Sequence, residues 1–270
     1  MKAIILAAGY ATRLYPLTIN TPKALLPINK KPIIDYIVDE LNTISEIDEI
    51  YVVTNSRFAQ HFTDWAKTAP GKTLISVLDD GTTSDENKKG AVGDIGFVIA
   101  EKKIDDELLV IAGDNFFTYS LRDYVDYYRE KDHDCVCVKK WPNKKELSQF
   151  GVALLDENGK VLDIEEKPKE PKSDTAVFAT YLYKRETVPM FREYLDGGNN
   201  PDAPGNFPAW LYKRKDVYAY TFSGECYDIG TPESYVKFAA CMKNKKQRLL
   251  PPFLAEVRQK KPTQRVGFFS

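Results

Sequence analysis

Histidine is nearly missing from this 270-residue chain, which has two, His61 and His133. Its four cysteines, Cys135, Cys137, Cys226 and Cys241, include no Cys-x-x-Cys pair. Zinc sites draw on such close pairs, so a zinc centre is not indicated. The cysteines read as reduced thiols of a reducing compartment. Excess charge is also missing: 38 Lys and Arg stand against 39 Asp and Glu, a net charge of −1. Nucleic-acid backbones are met by clustered positive charge, so this balance argues against nucleic acid as a partner. No apolar run approaches the ~20 residues that cross a bilayer. The apolar start, Lys2 to Ala7, has no basic segment worth the name before it and leads straight toward Arg13 and Lys23. It reads as a buried strand rather than a secretory signal, giving a cytoplasmic protein with no membrane partner.

What is present is a 43% hydrophobic content, enough for one large domain or two small ones. Strand patterns over residues 2–7, 49–54, 73–78 and 107–112 alternate with helical patterns from Pro32 through Leu41, over 57–67 and over 90–103. Strand, helix, strand in succession implies parallel pairing through right-handed crossovers. Residues 1–133 are therefore expected to form a Rossmann-like, doubly wound α/β half. The half from 134 to about 246 is richer in strands, at 134–140, 150–155, 161–165, 176–183 and 216–222. Helical patterns are expected at 185–195 and 208–213, and a final helix from Thr231-Pro232 through Lys245. Asp156-Glu157-Asn158-Gly159 carries turn chemistry between two of these strands. Together these give one α/β domain with a mixed sheet over residues 1–246. A tail, 247–270, follows, where Pro251, Pro252, Pro262 and scattered basic residues end the pattern. Open α/β sheets bind ligands at the carboxyl ends of their strands, so the loops after Ala7, Leu78 and Ala112 should face one crevice.

Four stretches carry chemistry. The first is Ala7-Ala8-Gly9-Tyr10-Ala11-Thr12-Arg13, with Pro22-Lys23 downstream. Small residues after a buried strand let backbone N–H groups approach an anion, and Arg13 and Lys23 add two fixed charges. It is neither a GxxxxGK[ST] nor a GxGxxG loop. By itself it reads equally as a tight turn with solvated cations. The second, Gly113-Asp114-Asn115, sets a carboxylate at a strand's carboxyl end, where Mg²⁺ keeps sites for water and phosphate; it is also a good turn. The third is Cys226-Tyr227-Asp228-Ile229-Gly230-Thr231-Pro232, in which Asp228 precedes a helix cap. The fourth, Glu166-Lys167-Pro168, pairs an acceptor for hydroxyls with an ammonium for phosphate, and reads alternatively as a solvated strand end.

Taken in order, these motifs resemble the sugar-phosphate nucleotidyltransferase family, which includes glucose-1-phosphate thymidylyltransferases and UDP-glucose pyrophosphorylases. The resemblance runs from Met1 to about Lys245. It implies a nucleotide-diphospho-sugar transferase type of sheet, with a nucleotide-binding half and a sugar-binding half. The implied reaction transfers a nucleotidyl group from a nucleoside triphosphate to a sugar 1-phosphate, releasing pyrophosphate. It also implies Mg²⁺ on Asp114 and Asp228. Arg13, Lys23 and Lys167 join those aspartates as the implied catalytic residues. Leu6, Ala8, Gly9, Arg13, Lys23, Asp80, Gly81 and Gly90 are the implied nucleotide contacts. Asn115, Gly151, Glu166, Lys167 and Ala179 are those for the sugar phosphate. Ala11 stands where the family's second glycine is commonest, and is tolerated there if its φ is negative. Cys226 replaces the usual tryptophan, and Ala179 stands where glycine is common. Thymidylyltransferases usually present a glutamine in the loop at 78–91, and none occurs there, so the base stays open. A non-sugar phosphate such as phosphocholine, a metal-dependent glycosyltransferase, or a non-catalytic regulatory subunit of the same fold remain alternatives. Family members often assemble as homo-oligomers.

Overall fold

The computed structural model describes residues 1–236, 238 and 239, apart from the side chain of Asp228. In chain order the elements are β1 (Lys2–Leu6), β2 (Pro27–Ile28), β3 (Lys31–Pro32), α1 (Ile33–Leu41), β4 (Glu49–Thr54), α2 (Ala59–Ala66) and β5 (Leu74–Asp79). There follow α3 (Ala91–Lys102), β6 (Leu108–Ala112), β7 (Asn115–Phe117), α4 (Leu121–Lys131), β8 (Asp134–Lys140), β9 (Gly151–Leu155) and β10 (Val161–Glu166). The last are β11 (Thr175–Tyr183), α5 (Met190–Asp196), α6 (Asn206–Leu211), β12 (Val217–Thr221) and β13 (Cys226–Asp228).

Nine strands form one mixed sheet. Its nucleus is β1, flanked in parallel by β4 and β6, with β5 parallel beyond β4. Ala3, Ile4 and Ile5 of β1 are all fully buried, so this strand has a core on both faces. Alternation decides which core: Ala3 and Ile5 pack with α1, α2 and α4, whereas Ile4 packs with α3, α5 and α6. Helices on both faces make the sheet doubly wound, as the strand–helix alternation implies. Each large apolar side chain buried there contributes about 1.5–3 kcal/mol.

The long strand β11 turns the sheet antiparallel. Its residues Thr180 to Tyr183 pair with β6, Ala176 and Val177 pair with β9, and β8 runs along the other edge. Between these two pairings the ends of β6 and β9 part, leaving Phe178 and Ala179 without a strand on that edge. A register shift between Phe178 and Tyr181 marks the same place. This gap becomes the floor of a cavity of about 650 Å³.

Several expectations need correction. Helix α4 occupies a stretch for which no element was expected. Ser120 caps it by accepting from the Asp123 N–H, and Leu121, Tyr124, Val125 and Tyr128 bury one face. The helix expected over 185–195 breaks into a single 3-10 turn, Arg185–Thr187, and α5, with Pro189 between them. Proline has no N–H to continue the first segment. The helix expected at 208–213 runs two residues earlier, as α6. Residues 232–236 are helical after Thr231, whose Oγ1 accepts from the Ser234 N–H. The remainder of that expected helix, Cys241 and the tail from 247 lie outside the described residues. Among the described residues, no helix is long and apolar enough to cross a membrane.

Candidate active site

The loop after β1 is held from below. The Ala7 N–H donates to Val53 O, and Asn55 Nδ2 donates to Ala8 O at 2.8 Å from a fully buried position. Thr18, also fully buried, donates through Oγ1 to Ala11 O at 2.8 Å. Ala11 does not have the negative φ that its alanine would prefer: it adopts φ 48°, ψ 43°, the left-handed region. That is the conformation a glycine supplies without steric cost, and the Thr18 bond on its carbonyl helps to hold it. The 3-10 turn Thr12–Leu14 follows, anchored by buried Leu14, and carries Arg13.

Gly113 ends the neighbouring strand by close approach. A Cβ there would sit 2.9 Å from both Ile5 Cγ2 and Leu6 O, and its N–H donates to Leu6 O. The turn delivers Asp114 beside the loop after β1. Lys23, 8% exposed, donates from Nζ to Asp114 Oδ2 at 2.8 Å. The Asp114 side chain itself is 45% exposed. Immediately beyond, β7 pairs antiparallel with β13, in the register Asp228↔Asn115. Asp228, 114 positions further along the chain, thus has its backbone paired with the residue that follows Asp114. A half-exposed carboxylate such as that of Asp114 suits a hard divalent cation, which takes few protein ligands.

Two cavities open here. One, of about 650 Å³, lies over the gap in the sheet and is lined by Ala112, Asn115, Gly151, Glu166, Lys167 and Ala179, among others. The second, of about 310 Å³, is lined by Gly9, Tyr10, Ala11, Thr12, Gly113 and Gly230, with Asp85 and Lys88 at its edge. They share Leu6, Arg13, Lys23 and Asp114. Two chambers therefore meet at two cations and a carboxylate. The small loop residues wall one of them, and the Glu-Lys-Pro strand end walls the other.

Glu166, at the end of β10, sits opposite Gly151 in the β9 register. Burial raises its carboxyl above the usual range, opposed by Lys167, whose Nζ is 3.8 Å away. Lys167 itself has φ 49°, left-handed backbone in a lysine, and its N–H donates to Phe150 O. Such strain in a non-glycine residue persists only where the surroundings over-determine it.

Of the residues expected to contact the nucleotide, four lie outside both cavity linings. Ala8 is buried under Asn55. Asp80, 4% exposed, turns inward: its Oδ1 accepts from the Thr82 N–H and Oγ1, both at 2.7 Å, and its other oxygen faces the Asp94 carboxyl of α3. Gly90 is buried against Pro201 as the residue that opens α3. Gly81 lies on the exposed turn after β5, away from both cavity linings. Conversely, Trp141, Tyr181 and Gly205 line the larger cavity without having been expected there, while Tyr10 and Lys88 line the smaller one from loops that were expected to face the nucleotide. The Pro204-Gly205 pair announces a turn, but nothing local says that the turn meets residue 166.

A fold whose loops converge on a junction carrying Arg13 and Lys23 narrows the comparison, and the family sequence pattern decides it. The description "nucleotidyl transferase" matches residues 2–245. The chain belongs to the nucleotidyl transferase family. A Sulfolobus acidocaldarius protein assigned as a mannose-1-phosphate guanyltransferase is 29% identical over 88% of this chain and 62% of its own length. A UTP–glucose-1-phosphate uridylyltransferase of Synechocystis is 30% identical over 87% of this chain and 61% of its own length. The chain thus spans less than two thirds of these relatives. Among solved structures, a Bacillus anthracis protein assigned as a glucose-1-phosphate thymidylyltransferase superposes with a TM-score of 0.73 at 28% identity. The match covers 90% of this chain and 95% of the other. These relatives differ in the base they are named for, so family membership leaves the nucleotide open.

Proposed function

We propose that the protein transfers a nucleotidyl group from a nucleoside triphosphate to a sugar 1-phosphate in the cytoplasm, giving a nucleoside diphosphate sugar and pyrophosphate. The observation that carries this reading is the meeting of two cavities at Arg13, Lys23 and Asp114. A transfer between two anions needs two chambers, one junction, and positive charge where they touch.

In this reading the smaller chamber takes the triphosphate against the backbone of residues 9–12, and the larger takes the acceptor. An acceptor phosphate oxygen forms a bond to the α-phosphorus while the bond from that phosphorus to the α–β bridging oxygen breaks, in line. Arg13 and Lys23 hold the polyphosphate and stabilise charge moving onto the departing pyrophosphate. Lys167 holds the acceptor phosphate, and Glu166 accepts hydrogen bonds from hydroxyls at its far end. The attacking phosphate is already ionised near neutral pH, so no general base is needed and the scarcity of histidine is no obstacle. The implied Mg²⁺ would be held by Asp114 and Asp228, and when bound would neutralise charge on the transferred phosphoryl group.

A second reading keeps the reaction and changes the acceptor. Trp141, Phe150 and Phe178 form an aromatic cluster in the larger cavity, with ring centroids 5.0–6.1 Å apart. Aromatic faces in the same cavity as the half-buried Glu166 carboxyl also suit an alkylammonium phosphate such as phosphocholine. A matrix of the common triphosphates against several sugar 1-phosphates and phosphocholine, scored by pyrophosphate release, tests both. Turnover that needs a sugar 1-phosphate supports the main reading. No release with any pair overturns it, and leaves a glycosyltransferase or a non-catalytic subunit.

A further inference from the structure

Two glycines bracket the Glu166 carboxylate. A Cβ added at Gly151 would lie 3.1 Å from Glu166 Oε2, a tight contact, whereas one at Gly205 would lie 2.0 Å from the same oxygen and 2.9 Å from Cδ. Gly205 is not glycine for its backbone: its φ is −71°, open to any residue. The missing side chain is what matters, because the carboxylate occupies its space. The Gly205 Cβ position is also 3.6 Å from Tyr181 Oη, so this glycine lies where two polar groups of the cavity wall come together.

The segment that carries Gly205 cannot easily retreat. The first N–H groups of α3 donate to it, Ala91 to Asp202 O at 2.9 Å and Val92 to Pro201 O at 2.8 Å. Gly90 packs so closely that a Cβ there would meet Pro201 O at 2.5 Å. Lys88 reaches Asp202 at 3.0 Å, and Tyr194 Oη donates to Asn200 O at 2.6 Å. Immediately after Gly205, Phe207 stacks on Phe191 with centroids 3.7 Å apart. An added methyl at 205 would therefore be carried by a segment held in place and would meet the end of a flexible side chain. The side chain gives way.

We propose that Gly205 is a positioning residue of the acceptor subsite, holding Glu166 against Gly151. The 200–206 segment, tied to the start of α3, is the rigid wall that makes this possible. The inference rests on the proposed nucleotidyl transfer and deepens it: acceptor recognition depends on a loop that sequence places forty residues beyond the Glu-Lys-Pro motif.

The test is Gly205→Ala, Glu166→Asp and the double variant, assayed by steady-state kinetics with the best triphosphate–acceptor pair for the wild-type protein. Gly205→Ala is expected to raise the acceptor KM by about ten- to a hundredfold, the worth of one or two hydrogen bonds to a charged group. The triphosphate KM and the unfolding midpoint stay near wild type, because the displaced group is a side-chain end. Glu166→Asp shortens the carboxylate by one methylene and makes room for the methyl. Adding it to Gly205→Ala should therefore cost much less than adding it to the wild type, a non-additivity that simple loop destabilisation does not produce. An acceptor KM within twofold of an active wild type, or strict additivity, overturns the positioning role alone. A wild type that releases no pyrophosphate with any pair overturns the reaction, and this inference with it.

Discussion

Replacing Asp94 by asparagine should remove most of the pH dependence of stability near neutrality. Asp94 is 6% exposed, and neither its Oδ1 nor Asp80 Oδ2 makes a hydrogen bond among the described residues. Two buried carboxyl groups facing one another cannot both be charged cheaply. Burial first, and then the Asp80 carboxylate, push the Asp94 carboxyl up to about 8 from an ordinary 3.8, with Lys89 opposing weakly. The folded protein thus keeps a proton that the unfolded chain has already released. Its contribution is complete below pH 3.8 and is lost as pH rises, about 1.4 kcal/mol per pH unit, until about pH 8. By pH 7 roughly 4 kcal/mol has gone, a large part of a typical domain's stability. Asparagine has nearly the same shape, never ionises, and can donate from Nδ2 to Asp80 Oδ2 at every pH. Urea unfolding at pH 5, 6, 7 and 8 reads the effect. Between pH 5 and 8 the wild type should lose roughly 3–4 kcal/mol relative to Asp94→Asn. Parallel profiles for the two proteins would refute the shared proton.

Ala11→Gly relieves a left-handed alanine and should raise stability by about 0.5–1 kcal/mol despite the freer unfolded chain, read from the denaturation midpoint. Thr18→Val removes the bond that holds Ala11 O and leaves that carbonyl without this donor, costing about 1–2 kcal/mol in the same assay. Asp114→Asn should lower kcat by about a hundredfold or more with an unchanged circular-dichroism spectrum; full activity would remove this carboxylate from the site. Lys167→Ala should raise chiefly the KM of the acceptor; a change confined to the triphosphate would reverse the assignment of the two chambers.

The sequence by itself determined the elements whose side chains repeat with a clear period. Glu49–Thr54 is found at its expected bounds, and Lys2–Leu6 and Ala91–Lys102 within one residue of theirs, because apolar runs and caps are local signals. Helix α4 shows the converse, since its tyrosine-rich buried face sits among charged residues. The motif residues Arg13, Lys23, Asp114, Glu166 and Lys167 were legible as candidates through their order along the chain, which carries the family resemblance, and all five line the cavities. Only the tertiary structure decided that β6 and β9 share one edge of β11 and leave a chamber between them. It alone paired residue 228 with 115, turned Asp80 inward to Asp94, and brought Gly205 against Glu166. Those are contacts between segments far apart in the chain, set by sheet topology and by the space one side chain leaves for another, and no local pattern encodes them.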